Sequence, residues 1–350
     1  MADPVYPFAD EPAAGDGLSV EIAPDVHWIR MPLSAPLRWI NVWALFEPDG
    51  ATVVDTGILS PDSIAAWERV LAGLLNGRQV RRVISTHMHP DHCGLAGWFV
   101  EHQHAELWMS RLEYLTCRVL SADTGRAAPA AALGFYRAAG WSDEALERYR
   151  ARFGFFGEMI YPFPASYTRL SDGDELTMAG HTWRVITGNG HSPEHACLYC
   201  PAMKLLISGD QVLPRISSNV SVFPTEPEAD PLADWITSLQ KLGRLIPDEV
   251  LVLPAHNSPF QGLHARLQAL QAHHEGALQR LQQHLCVPKR TVEVFGTLFA
   301  RPIAPDSLMM ATGEALAHLN YLRARGLARR ELDASGVWHW SAAAAMDALL

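Results

Sequence analysis

The segment His87-Met88-His89-Pro90-Asp91-His92 places four potential metal ligands within six residues. It follows VRRVIST (80–86), a β-branched run that reads as a strand. A helix would scatter these side chains around its circumference, whereas a tight loop at a strand end can converge them. That need constrains the fold: a strand must deliver the loop to a place that further ligands reach from elsewhere in the chain. Imidazole and carboxylate together suit zinc, iron or manganese.

The rest of the pattern alternates strands with helices and so predicts an α/β chain. Residues 1–18 read as a loose N-terminal arm. VHWIRMPL, INVWALFE and GATVVDTG follow as short strands joined by Pro and Asp-Gly turns. Apolar residues at helical spacing predict a helix over 61–76, ended by Gly77, and another from Cys93 to His102. AELWMS reads as a strand. Residues 110–165 form a helical, aromatic insertion in which Ser142 is a plausible cap. HTWRVITG, ACLYCP, KLLISGD and EVLVLPAH resume the strands, with a helix at 231–245 between the last two. From Gly262 the chain is helical (to Leu285, at 291–300 and at 307–325). GLARRELDASGVWHW then reads as two strands around a turn, a winged-helix-like pattern over 262–350.

In order along the chain, these motifs resemble the metallo-β-lactamase superfamily. His87–His92 matches its His-x-His-x-Asp-His signature, and Val53-Val54-Asp55-Thr56-Gly57 resembles its early strand and turn. Gly190-His191-Ser192-Pro193-Glu194-His195 resembles its Gly-His-Thr-Pro-Gly-His segment. Ser208-Gly209-Asp210 and Pro254-Ala255-His256 fall where its last ligands lie. Glu194, where the family has glycine, and Ala255 are departures that remove no ligand. The resemblance spans about residues 20–260 and implies an αββα sandwich, here a catalytic domain over 19–261. It also implies two divalent metal ions, zinc first, with iron or manganese as alternatives. His87, His89 and His191 would hold one, Asp91, His92 and His256 the other, and Asp210 would bridge them. Asp91 and Asp210 take the catalytic roles, around a hydroxide held between the metals that attacks a carbonyl. The bridging aspartate points away from antibiotic hydrolysis, toward the branch resembling hydroxyacylglutathione hydrolases, lactonases and nucleases.

Other residues are placed around this set. Asp55 is the candidate for orienting a ligand histidine. His195 reads as a packing or hydrogen-bonding residue. Cys197 and Cys200, three apart on a strand, should diverge. His102, His104, His273, His274 and His284 read as solvated. Arg215 could hold an anionic group, and Tyr161 is one of the insertion's aromatics that could line an acyl channel; most of those aromatics should pack their own scaffold.

Charge bears on partners. The chain carries 28 basic and 38 acidic groups, −10 overall, and has only three lysines. Up to residue 260 the balance is −12, which would repel a polyanion, and beyond it +2. The C-terminal region resembles the winged-helix appendage of lactamase-β-2-like proteins. With so little positive charge, a packing, lid or homodimer role is expected there rather than DNA reading. The acidic, Pro/Gly-rich start lacks a signal-peptide pattern and five cysteines make no disulfide framework, so a cytoplasmic location is expected, with no membrane partner. The reading is a dinuclear metallohydrolase of a small-molecule acyl substrate, a thioester first and a lactone or ester next. A single-strand endoribonuclease is the rival enzyme, and a metal-bearing DNA-binding sensor the rival binding protein.

Overall fold

A computed structural model describes residues 4–34 and 36–343. The chain forms two compact units that do not follow chain order. One comprises the residues up to Arg126, Gly154–Ser218 and Ser238–Leu267. The other comprises Ala127–Phe153, Asn219–Thr237 and the residues from Gln268 onward.

The first unit is built on two sheets. Strands β1 (Val20–Ala23), β2 (Val26–Pro32), β3 (Trp39–Glu47), β4 (Gly50–Val54), β5 (Val80–Ile84), β6 (Glu106–Ser110) and β7 (Thr168–Leu170) lie side by side in chain order. They are antiparallel up to β4 and parallel from there. The second sheet runs β12 (Leu251–Pro254), β11 (Leu205–Gly209), β10 (His195–Cys200), β9 (His181–Gly188) and β8 (Glu175–Met178). Period-two alternation divides the side chains of the first sheet. Val26, Trp28, Trp43, Leu45 and Val54 meet Trp183, Val185, Leu198 and Ile207 of the second sheet in one core. Ile29, Met31, Ile40, Val42 and Val53 face away from that core. There they pack with α1 (Pro61–Ala72), α3 (Ala96–Gln103) and α4 (Arg111–Ala122). Cys200 belongs to the inter-sheet core and Cys197 does not, as expected for thiols three apart on a strand.

Helix α1 stops at Ala72, capped by Gly73 rather than running to Gly77. At its start, Ser60 accepts from Ser63 N–H at 3.1 Å. The helix expected from Cys93 to His102 is two: α2 (Pro90–Cys93) and α3, separated at Gly94. A Cβ at Gly94 would strike the Pro90 and Gly57 carbonyls, so close backbone approach fixes glycine there. The arm is not loose. Val5 and Gln261 exchange backbone hydrogen bonds of 3.1 and 2.9 Å. Glu11 accepts from the buried Arg30 at 2.8 Å and also from Ser258. In isolation these polar residues carry no periodic signal, so their long-range partners are invisible in the sequence.

The second unit contains α5 (Ala130–Ala138), α6 (Asp143–Arg152), α9 (Phe295–Leu298), α10 (Leu308–Ala324) and the hairpin β13 (Ala328–Leu332)–β14 (Trp338–Ala342). Two longer helices, α7 (Pro231–Leu245) and α8 (Leu263–His284), have residues in both units. The Ser142 hydroxyl caps α6. The expected helix at 291–300 is a 3₁₀ turn over Thr291–Val294 followed by α9. His274, expected to be solvated, is fully buried and its Nδ1 lies 3.2 Å from His318 Nε2.

Close by on α10, Glu314 accepts from Asn219 at 2.8 Å, and burial pushes its pKa up to about 7 from 4.5. A carboxyl raised on folding contributes stability that is complete below the unfolded value and lost as pH rises through the folded one. Glu314→Gln cannot ionise. Its stability relative to wild type should therefore rise by on the order of 3 kcal/mol between pH 4.5 and about pH 8, measured by denaturant unfolding at each pH. An unchanged difference across that range would show that Glu314 does not titrate on folding.

Candidate metal centre

Strands β4 and β5 pair in parallel, as do β11 and β12, while β9 is antiparallel to both of its neighbours; each of the five ends in a loop carrying a candidate residue. Asp55 follows β4, His87–His92 follow β5, His191 follows β9, Asp210 follows β11 and His256 follows β12. Carboxyl ends of strands are where loops of an α/β sheet gather to bind.

The structure brings all seven expected ligands into three overlapping groups: His87, His89 and His191; His87, His92 and Asp210; and Asp91, His92 and His256. Within each group the donor atoms lie within 4.8 Å of one another. His87 Nε2 is 2.8 Å from His89 Nδ1 and 3.3 Å from His191 Nε2. The two oxygens of Asp210 divide. Oδ2 lies 3.4 Å from His191 Nε2, whereas Oδ1 lies 3.6 Å from His92 Nε2 and 3.5 Å from His256 Nε2. Asp91 Oδ2 is 3.3 Å from His256 Nε2 and 3.7 Å from His92 Nε2.

All of these separations but the 2.8 Å one between His87 and His89 lie near those of donors around a single cation. Zinc–nitrogen bonds of about 2.0–2.1 Å in a tetrahedron place neighbouring donors roughly 3.3–3.4 Å apart. His92 Nε2 and Asp210 Oδ1 are buried, and neither has a hydrogen-bond partner among the described residues. Buried polar atoms are otherwise satisfied. Electrostatics point the same way. Burial and the neighbouring imidazoles hold His87 well below its ordinary pKa, and burial with His191 takes His89 down to about 3. Burial alone would raise Asp210, but His256 and His92 hold it well below the carboxylate range. His87 and His89 are thus held in the neutral state and Asp210 in the ionised state that bind metal. Against the effect of burial, the carboxylates of Asp91, Asp55 and Asp210 raise His92, and those of Asp210 and Asp91 raise His256, so these two would release a proton when a cation binds.

The surrounding hydrogen bonds fix these donors. Asp55, at φ +60°, accepts from Thr86 N–H at 2.8 Å, and its Oδ2 lies 2.8 Å from His92 Nδ1. With Nδ1 as the donor, Nε2 of His92 presents its lone pair to the centre. Thr56 donates to the His92 carbonyl at 2.8 Å and accepts from Leu95 N–H. His195 Nε2 accepts from Asp210 N–H at 3.1 Å, consistent with a hydrogen-bonding role. A Cβ at Gly209 (φ +50°) would collide with that same imidazole.

Two positioning residues were missed in the sequence. Asn41 takes the Trp28 indole N–H on Oδ1 and donates to the Pro254 carbonyl, each at 2.8 Å, beside His256. Glu113 accepts from the backbone of both histidine loops. Nothing local marks either one, because the groups they hold beside the ligands are backbone groups distant in sequence.

The substrate candidates are placed differently. Arg215 is exposed, with its Nε 3.3 Å from the Tyr6 hydroxyl and its guanidinium over that ring. Tyr161 donates to Glu101 at 3.0 Å. Tyr114 stacks on Tyr167, and Tyr136 on Trp141, so these insertion aromatics pack scaffold.

Residues 37–256 match the metallo-beta-lactamase superfamily, and residues 278–343 match the metallo-beta-lactamase-like C-terminal domain. A crystal structure of a beta-lactamase domain protein from Burkholderia ambifaria is 39% identical. It covers 97% of this chain and 98% of that one, with a TM-score of 0.87. A probable metallo-hydrolase of Bacillus subtilis is 22% identical over 305 residues, which are 86% of this chain and 92% of the relative. A linear primary-alkylsulfatase of a Pseudomonas species is 26% identical over 223 residues, 61% of this chain but only 41% of that longer protein. No helix among the described residues is long and apolar enough to cross a membrane. The converging donors and the match over most of the chain establish it as a hydrolase of the metallo-beta-lactamase superfamily.

Proposed function

We propose that the chain is a dinuclear hydrolase of carboxylic thioesters, of acyl-CoA or acylglutathione type, with lactones and simple esters next. In this reading it stands nearest the hydroxyacylglutathione hydrolase-like branch. The observation that carries the two-metal part is the division of the Asp210 oxygens between two donor groups. His87, His89 and His191 would hold one ion, Asp91, His92 and His256 the other, and Asp210 both. Zinc suits these donors, and iron and manganese are compatible with them. A bound pair of such ions supplies an acidified water and a Lewis-acid clamp for developing negative charge.

The chain's own residues then orient and exclude. Asp55, 2.8 Å from His92 Nδ1, would hold that nitrogen as the donor and leave Nε2 for the ion. His195 holds the Asp210 backbone, and Asn41 holds the loop of His256. Asp91 is 22% exposed against 11% for Asp210, so it is the more accessible carboxylate to exchange a proton with a reacting water. Arg215, exposed beyond Asp210, is the proposed anchor for an anionic substrate end.

The small-molecule reading is supported by charge. The −12 balance up to residue 260 disfavours a nucleic-acid polyanion as substrate. In the C-terminal region, Arg323 and Arg330 both pair with Glu228, and Arg325 with Asp230. Cations already paired in this way contribute little to phosphate binding, which supports a packing or dimer role for any winged-helix-like element. A second reading, hydrolysis of alkyl sulfate esters, is favoured by the similarity to the alkylsulfatase.

Protein purified without chelator should carry about two divalent ions per chain by elemental analysis. Asp210→Asn should lower turnover more than about 100-fold, beyond the range typical of outer partners, while its melting temperature stays close to wild type. Near-normal turnover would remove Asp210 from the bridge. One zinc-loaded preparation should be compared on medium-chain thioesters, alkyl sulfates and single-stranded RNA. The expected order of kcat/KM puts thioesters first, with Arg215→Ala raising KM for anionic thioesters more than for neutral esters. Efficient RNA cleavage abolished by Asp210→Asn, without thioester turnover, would establish the endoribonuclease instead.

A further inference from the structure

Glu113, on the first turn of α4, has a fully buried side chain. Its Oε2 accepts from Met88 N–H at 2.9 Å and its Oε1 from Glu194 N–H at 2.7 Å. Met88 lies between His87 and His89, and Glu194 is three residues after His191. One carboxylate therefore joins the two loops that deliver the three histidines of the first donor group. No lysine or arginine among the described residues pairs with it.

A buried carboxylate without a cation is costly, and two backbone N–H donors offset only part of that cost. Packing of α4 does not require it. Tyr114 stacks on Tyr167 with centroids 3.8 Å apart, and Cys117 is buried in the core behind the sheet. The outer side of the helix start has its own tie, from Leu112 N–H to Glu194 at 2.9 Å. The clasp acts on backbone, so it sets the separation of the two loops rather than any one side chain.

We infer that Glu113 is a positioning residue that sets the spacing of His87 and His89 against His191, and so tunes metal affinity at that triad and not at the Asp91–His92–His256 group. This rests on the metal-centre reading above, and the two can fail separately.

The test is zinc titration against a competing chelator in two backgrounds. His256→Ala leaves the His87–His89–His191 triad whole, and His191→Ala leaves the other group whole. Glu113→Gln keeps the volume but turns an amide N–H₂ toward one of the two N–H donors, which opens the clasp. In the His256→Ala background it should weaken zinc binding about 10–100-fold, and in the His191→Ala background less than about threefold. Equal losses in both backgrounds would mean a general structural role, and no loss in either would mean no role; each overturns the inference. Failure of the wild-type chain to bind zinc would overturn the metal-centre reading itself. A measurement free of variants covers the case in which Glu113→Gln does not fold. In zinc-free wild-type protein the Met88 and Glu194 amide protons should exchange slowly, because the clasp exists before metal. Rapid exchange of both would overturn the proposal.

Discussion

Donor lone pairs that face one another repel, and this chain gathers seven ligating side chains around a few ångströms of space, the arrangement that a bound cation stabilises most. The arrangement therefore depends on restraints from outside the donor set. Asp55 aims His92, Thr56 holds the carbonyl at the end of the same loop, His195 carries the Asp210 backbone and Asn41 carries the loop of His256. The left-handed backbone at Asp55 and Asn257 belongs to this economy: strained residues persist where the surroundings over-determine them. The sandwich core supplies the rigidity. Trp28, Trp43 and Trp183 fill the space between the sheets, and the Trp28 indole is tied through Asn41 to the strand end before His256.

What could be read in the sequence follows from range. His87, His89, Asp91 and His92 are adjacent, so their convergence needs only a loop, and the strands behind them announce themselves by alternation. His191, Asp210 and His256 are legible because each ends a strand with a recognisable pattern. Glu113 and Asn41 are not legible, because the contacts by which they hold the ligand loops go to backbone groups that any residue would supply. His274 failed for a related reason. A single histidine on an amphipathic helix looks the same whether water or His318 faces it. The arm at residues 4–18 is polar and aperiodic, yet it pairs with Gln261 and Arg30, partners that no local window contains.

Charge counting shows a similar limit. A formal balance of +2 beyond residue 260 says little about binding until each cation is followed to its partner. Arg323, Arg325 and Arg330 find theirs within their own unit, on Glu228 and Asp230, and Arg330 also lies over the Trp338 and Trp340 rings. These contacts knit the residues before α7 to the C-terminal hairpin, so the charge there is structural cement for one compact unit.

Glu194 replaces a glycine in the pattern this chain otherwise resembles, and its surroundings give that change a meaning. Ser110 precedes α4 but makes no side-chain cap; its hydroxyl goes to the Glu194 carbonyl at 2.6 Å, and the Glu194 carboxylate takes the Leu112 N–H instead. The free N–H groups at a helix start need an acceptor, and here the acceptor is lent by the loop that follows His191. The start of the helix and the residue that departs from the pattern are thus coupled through two hydrogen bonds. A glycine at position 194 would keep the carbonyl that Ser110 reaches but give up the carboxylate at Leu112, leaving that N–H to solvent, so the departure changes how the helix start is held and not whether the two segments meet.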